Sequence, residues 1–309
     1  MMSIMTPCTT TSPTKAWLES LRLRTLPLAF ASIVMGSALA SLQGVFHPVI
    51  ALLALLTAGL LQILSNLAND YGDAEKGSDT PDRVGPLRGM QKGMITAAQM
   101  KRAIILTVVL SVIAGIALIA VACQKPSDIF GFLILGLLSI GAAITYTVGT
   151  RPYGYMGLGD ISVLIFFGWI SVAGTFYLQA GYFDWIVMLP ATATGLLATA
   201  VLNINNLRDI DTDSANGKNT LAVRLGPQNA RRYHTLILTA ASLCLAIFSA
   251  AYLRHWSGWL FLLAIPMLTL HLYQVKNAKT SREVRPLLEQ MVKAALLTNV
   301  LFAAGLLLN

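Results

Sequence analysis

The sequence predicts an all-α integral membrane protein with nine transmembrane helices. Of its 309 residues, 55% are hydrophobic and only 12% charged, with a mean hydropathy of +0.66. A soluble domain carries roughly 25% charged residues, so the composition excludes both a soluble and a disordered chain. The apolar residues gather in nine runs of membrane-spanning length, about 20 residues each. Lys and Arg gather on alternate connections between those runs.

Residues 1–14 carry no charge and read as a mobile N-terminal tail. No basic stretch precedes an apolar core there, so a signal peptide is not expected. Residues 15–309 form one transmembrane domain. Within Lys15–Thr25, Trp17, Leu18, Leu21 and Arg22 fall at helical spacing, which fits an interfacial helix ahead of the first span. The spans follow at 26–43, 48–68, 103–123, 128–148, 158–179, 185–206, 235–253, 256–274 and 286–308. Gly59, Gly115, Gly136, Gly174 and Gly195, mid-span, fit close helix packing. Cys8, Cys123 and Cys244 share no metal or disulfide spacing and read as small apolar fillers.

The 22 Lys and Arg exceed the 14 Asp and Glu, for a net charge of +8. Only Lys125 and Arg254 lie on the links at 44–47, 124–127, 180–184 and 254–255; the other twenty lie on the opposite side or, for Lys293, early in the last span. This positive-inside pattern places the N-terminus in the cytoplasm and the C-terminus outside. The excess charge encodes topology and calls for no nucleic acid.

The two largest connections run off hydrophobic helices in the same way: NLANDYGDAEKGSDTPDR at 66–83 and NINNLRDIDTDSANGKNT at 203–220. Asp70, Asp73, Asp79, Asp82, Asp209, Asp211 and Asp213 make up half of all the acidic residues. Asn66, Asn69, Asp70 and Asp73 are three or four apart and share one helical face, as do Asn205, Asp209 and Asp213. Oxygen donors gathered at one end of a bundle suit Mg²⁺, which binds through one or two carboxylates plus substrate phosphates. Lys76, Arg83, Arg88 and Lys92 follow the first cluster, Lys218 and Arg224 the second, and Arg151 sits on a third connection on that side. Carboxylates beside guanidinium and ammonium groups suit a Mg²⁺-diphosphate. An EF-hand is excluded, because Ser214 and Thr220 stand where its loop needs Gly and Glu. His234 and His271 read as lone helix-end residues. Tyr71, Tyr146, Tyr153 and Tyr155 surround the motifs, either as pocket walls or as an interface belt.

The segments NLANDYGD (66–73), GPLRGMQKG (85–93), TYTVGTRPYGYMGLGD (145–160) and LNINNLRDIDTDSANGKNTLAVRLG (202–226) resemble the UbiA-type membrane prenyltransferases, nearest the branch that acts on 1,4-dihydroxy-2-naphthoate. The resemblance implies nine helices around a central cavity that opens sideways to lipid and is capped by cytoplasmic loops, in the cell inner membrane. It implies Mg²⁺-dependent transfer of a polyprenyl group from polyprenyl diphosphate to 1,4-dihydroxy-2-naphthoate, with loss of CO₂ and diphosphate, giving demethylmenaquinone. The family's first motif falls on Asn69 and Asp73, with Gly77 where a third acidic residue would stand; the second falls on Asp209 and Asp213. On this resemblance Asn66, Asn69, Asp70, Asp73, Asp209 and Asp213 hold the metal. Arg83, Arg88, Lys92, Lys218 and Tyr146 bind diphosphate, and Asp73, Asp209 and Arg151 carry the catalysis. Leu23 departs from the Pro usual in relatives. A 4-hydroxybenzoate or homogentisate acceptor would fit the same fold. A cation-coupled transporter fits less well, since transporters place ionisable groups near the midplane and these spans are nearly free of them.

Overall fold

The computed structural model of the chain describes residues 12–77 and 89–309. The expected tail up to residue 11, and Asp79, Asp82, Arg83 and Arg88, lie outside the described residues. Among those described, every regular element is helical: α1 (Pro13–Leu21), α2 (Leu26–Leu42), α3 (Pro48–Glu75), α4 (Ala97–Ala122), α5 (Pro126–Thr145), α6 (Gly159–Ala180), α7 (Trp185–Arg208), the short α8 (Ile210–Ala215), α9 (Leu221–Tyr252), α10 (Trp256–Asn277) and α11 (Ser281–Leu307). Eight are long and apolar enough to cross a membrane; α1 and α2, meeting at a 44° bend, pass as a pair and make nine. The chain is a multi-pass membrane protein.

Local chemistry sets the helix starts. Prolines occupy the first turns of α1, α2, α3 and α5, where a missing N–H costs no hydrogen bond. Thr96 and Gln99 form a reciprocal capping box on α4, and the Thr220 and Thr280 hydroxyls accept from Val223 and Glu283 N–H. Helices outrun the apolar runs. The seventh span, expected from 235, begins as a helix at Leu221, broken at Gly226 (φ 74°) ahead of Pro227, and α3 continues past 68 to Glu75. Hydropathy measures the lipid-facing length, whereas backbone hydrogen bonds carry a helix onward into polar surroundings.

Packing follows residue size. α7, rich in Ala and Thr, is the most buried span and packs against α6, α9 and α11. Gly168 of α6 meets Gly195 of α7 so closely that a Cβ on Gly168 would stand 2.5 Å from the Ala191 carbonyl oxygen. α5 lies on α3 and α4 and buries none of its residues. Its Phe132 ring sits 5.6 Å from Tyr177 of α6, whose hydroxyl donates to Asp128. The expectation of tight packing fails for Gly115 and Gly136: nothing lies within 4 Å of a Cβ at either, and both line a central cavity. There the small residue makes room for contents instead of a neighbouring helix.

His234 and His271 correct their reading as lone residues. Both are fully buried, with Nε2 atoms 3.1 Å apart, and their Nδ1 atoms meet Asn203 and Gln290. Four helices share this chain of polar groups. All its contacts are satisfied with both rings neutral if Asn203 presents its amide N–H to His234, His234 donates to His271, and His271 donates to Gln290.

Candidate active site

A cavity of about 460 Å³ runs down the middle of the bundle. Its deep wall is apolar, with Leu28, Ile33, Ala54, Leu118, Phe132 and Leu178, and its polar end is closed by the motif-bearing helix ends. The helical period of α3 turns Gln62, Asn66, Asn69 and Asp73 toward this space. Asn66 is already engaged: its amide donates to the Leu21 carbonyl and Thr25 hydroxyl at 3.0 and 3.1 Å and accepts from Gln62. Asn69 accepts from the Thr147 hydroxyl. Asp73, 3% exposed, accepts from the Tyr155 hydroxyl at 2.8 Å.

Lys218 joins the two acidic segments. Its Nζ lies 3.7 Å from Asp73 and 3.9 Å from Asp213, and it stands over the Tyr155 ring, 5.0 Å from the centroid. A tight turn places it, because α8 ends at Ala215 and the Lys218 N–H returns to the Asp213 carbonyl. Asn205 and Asn206 of α7 line the cavity beside it.

Other candidates stand behind the cavity wall or away from it. Asp209 is buried and held by two bonds from its neighbour Arg208, at 2.7 and 2.5 Å. Asp70 is likewise buried and lies 2.6 Å from Arg22 Nη2. Asp70, Asp209 and Asp213 flank the space without lining it. Lys92 pairs with Glu19 of α1 at 2.6 Å, and Arg151 is exposed on the loop after α5; neither lines the cavity.

Tyr146 and Tyr153 line the cavity as an edge-to-face pair, centroids 5.2 Å apart. Burial pushes both phenols up from their ordinary range, and the nearby Asp160 carboxylate adds to the rise at Tyr146. Both therefore stay protonated as donors at neutral pH.

Sequence reasoning missed Arg22 and Arg208. Arg22 lines the cavity mouth in a left-handed backbone conformation (φ 49°) at the corner between α1 and α2, where Leu23 replaces the usual Pro. Its charge read as topology, and nothing in the sequence tied it to a carboxylate 48 positions away. Arg208 was discoverable, since a basic residue beside Asp209 at a helix end is within its reach.

Residues 29–307 match the UbiA prenyltransferase family. The chain is 65% identical over 298 residues to the 1,4-dihydroxy-2-naphthoate octaprenyltransferase of Escherichia coli (strain K12), covering 96% of this chain and 97% of that one. In fold it resembles the apo structure of a UbiA homolog from Aeropyrum pernix K1, with a TM-score of 0.70 at 15% identity over 93% of this chain and 98% of that one. It also resembles a UbiA homolog from Archaeoglobus fulgidus bound to DMAPP and Mg²⁺, with a TM-score of 0.58 at 15% identity over 93% and 99%.

Proposed function

The chain belongs to the UbiA prenyltransferase family, and from that premise we propose that it transfers a polyprenyl group from polyprenyl diphosphate to 1,4-dihydroxy-2-naphthoate. CO₂ and diphosphate leave, and the product is demethylmenaquinol, the two-electron-reduced form of demethylmenaquinone. One observation carries the reading: Lys218 lies within 4 Å of carboxylates from both acidic segments, at the polar end of an apolar cavity. A diphosphate head on a hydrophobic tail has that polarity. The Escherichia coli relative's printed activity supplies the acceptor.

The donor set suits Mg²⁺. Asn69, Asp73, Asn205 and Asp213 are hard oxygen donors around one end of the cavity. Among the described residues no three His, Cys, Asp or Glu side chains form a metal cage. A metal bound through one or two carboxylates takes its remaining ligands from phosphate and water. Asp73 and Asp213, backed by Asn69, Asp70 and Asp209, would hold it. Bound there, Mg²⁺ neutralises diphosphate charge and lowers the barrier to its departure.

The protein's own groups do the rest. Lys218 and Arg22 would face the diphosphate as cations, Lys218 by turning from its two carboxylates toward the phosphate oxygens. In this reading Arg83, Arg88, Lys92 and Arg151 would add positive charge for the diphosphate. Tyr146 keeps its proton and donates it as a hydrogen bond. The apolar wall holds the chain and keeps water from the allylic carbocation left when the C–O bond breaks. The electron-rich ring attacks this cation at the carbon bearing the carboxylate, and loss of CO₂ restores aromaticity. No base is required to remove a ring proton, and among the described residues no Ser-His-Asp or Cys-His grouping lines the cavity.

Each methylene taken from lipid costs about 0.8 kcal/mol, so the reaction belongs where a membrane-held tail meets a water-borne acceptor. The charge pattern favours the cytoplasmic side for that end and for the N-terminus, and in this reading the membrane is the cell inner membrane. The test is to incubate purified protein with dihydroxynaphthoate, a polyprenyl diphosphate and Mg²⁺. Diphosphate release and a prenylated, decarboxylated product are expected, and both should vanish in Asp73→Ala and Asp213→Ala proteins that still insert. Normal turnover in either variant removes the proposed metal site.

A further inference from the structure

A second cavity of about 180 Å³ lies on the other side of α6, between it, α7 and α9. Asp160, in the first turn of α6, is 4% exposed and lines this space. Neither of its carboxylate oxygens has a hydrogen-bond partner among the described residues. The Tyr233 hydroxyl and the Asp160 N–H are the donors nearest the carboxylate, and neither reaches hydrogen-bond geometry with it. Among the described residues no Lys, Arg or His lines the cavity. Arg224, beside Gly157 at its rim, donates from Nη2 to the Met156 carbonyl at 2.7 Å.

A buried carboxylate without donors is costly unless a positive charge joins it. The N-terminal end of α6 favours the ionised form without neutralising its charge. The remaining lining groups are oxygens with lone pairs to offer. The Thr199 hydroxyl gives its proton to the Gly195 and Asp160 carbonyls, at 2.9 and 3.3 Å, which turns its lone pairs toward the cavity. The Tyr233 oxygen is the third donor. One formal negative charge with neutral oxygens is too little for a divalent ion, which gathers more carboxylates.

We propose that this cavity binds a monovalent cation, Na⁺ or K⁺, through Asp160, Thr199 and Tyr233. The ion ties α6 to α7 and α9 directly behind the active site. Gly159, next to Asp160, already abuts Tyr146: a Cβ there would stand 2.8 Å from the phenolic oxygen. Cation binding therefore stiffens the wall that carries Tyr146, whether or not prenyl transfer is the reaction.

The experiment is thermal unfolding of the detergent-purified full chain in KCl, NaCl or choline chloride at one ionic strength, with EDTA excluding divalent ions from the diphosphate site. A saturable rise of about 2–5 °C in Na⁺ or K⁺ over choline is expected, and Asp160→Asn should abolish it. Identical melting in all three salts, or an unchanged rise in Asp160→Asn, overturns the proposal. If Asp160→Asn does not accumulate, Tyr233→Phe replaces it. That variant should raise the half-saturating cation concentration, and an unshifted titration overturns the proposal equally.

Discussion

Gly72 couples the first acidic motif to the loop that carries the site's tyrosines. A Cβ there would meet the Thr147 backbone carbon and oxygen at 2.7 Å and its hydroxyl at 2.8 Å. Those are backbone atoms, so Gly72→Ala forces the loop and α3 apart by roughly 0.7 Å before ordinary contact at 3.4 Å returns. Overpacking of this kind costs about 1–3 kcal/mol, while alanine returns about 1 kcal/mol of helix propensity. The net loss of stability is therefore small. The loss of function is not, because Thr147 bonds Asn69, and Tyr155 on the same loop bonds Asp73 at 2.8 Å. A misplacement near 1 Å can cost about 10² in rate. Diphosphate release by equal amounts of inserted protein should fall about 10²-fold, with the melting temperature nearly kept. Gly77→Ala is the control: its φ of 64° costs about 1 kcal/mol, but none of the described residues lies within 4 Å of a Cβ there, so turnover per folded molecule should hold. A folded Gly72→Ala protein with wild-type turnover refutes the coupling.

Further outcomes follow from the same geometry. Lys218→Met removes the cation beside Asp73 and Asp213; turnover with saturating donor should drop about 10²–10³-fold, measured as diphosphate release. Chelation by EDTA should stop that release, and restored Mg²⁺ should recover it without refolding. Burial raises the Tyr146 phenol, so the folded state holds that proton more tightly than the unfolded chain. Its contribution to stability is full below about pH 10 and declines as pH rises further. Tyr146→Phe should flatten alkaline unfolding curves while leaving the pH–rate profile between about 6 and 9 without a new limb.

The spans were legible because lipid enforces a length and a polarity, and two matched Asn/Asp runs at helix ends pointed to one end of the bundle. Individual roles were less legible. Helical period gives the face of a side chain but not its neighbour. Asp70 and Asp73 look equivalent in NLANDYGD, yet Asp70 meets Arg22 of a preceding segment while Asp73 meets Tyr155 and Lys218. Gly115 and Gly195 look alike in sequence, but one faces a cavity and the other a helix. The His234–His271 contact spans 37 positions, and no periodicity within one helix announces a partner on another. Asp160 sits inside the TYTVGTRPYGYMGLGD block, where proximity to the motifs hid that its carboxylate faces a different cavity.

An experimental structure of the protein with Mg²⁺ and a non-hydrolysable polyprenyl thiodiphosphate tests the convergence of the acidic segments most directly. The diphosphate head should lie within about 3 Å of Lys218 Nζ, with metal joining it to Asp73 on one side and to the Asp209–Asp213 segment on the other. A head group held by one of the two segments alone, or seated away from Lys218, would contradict it.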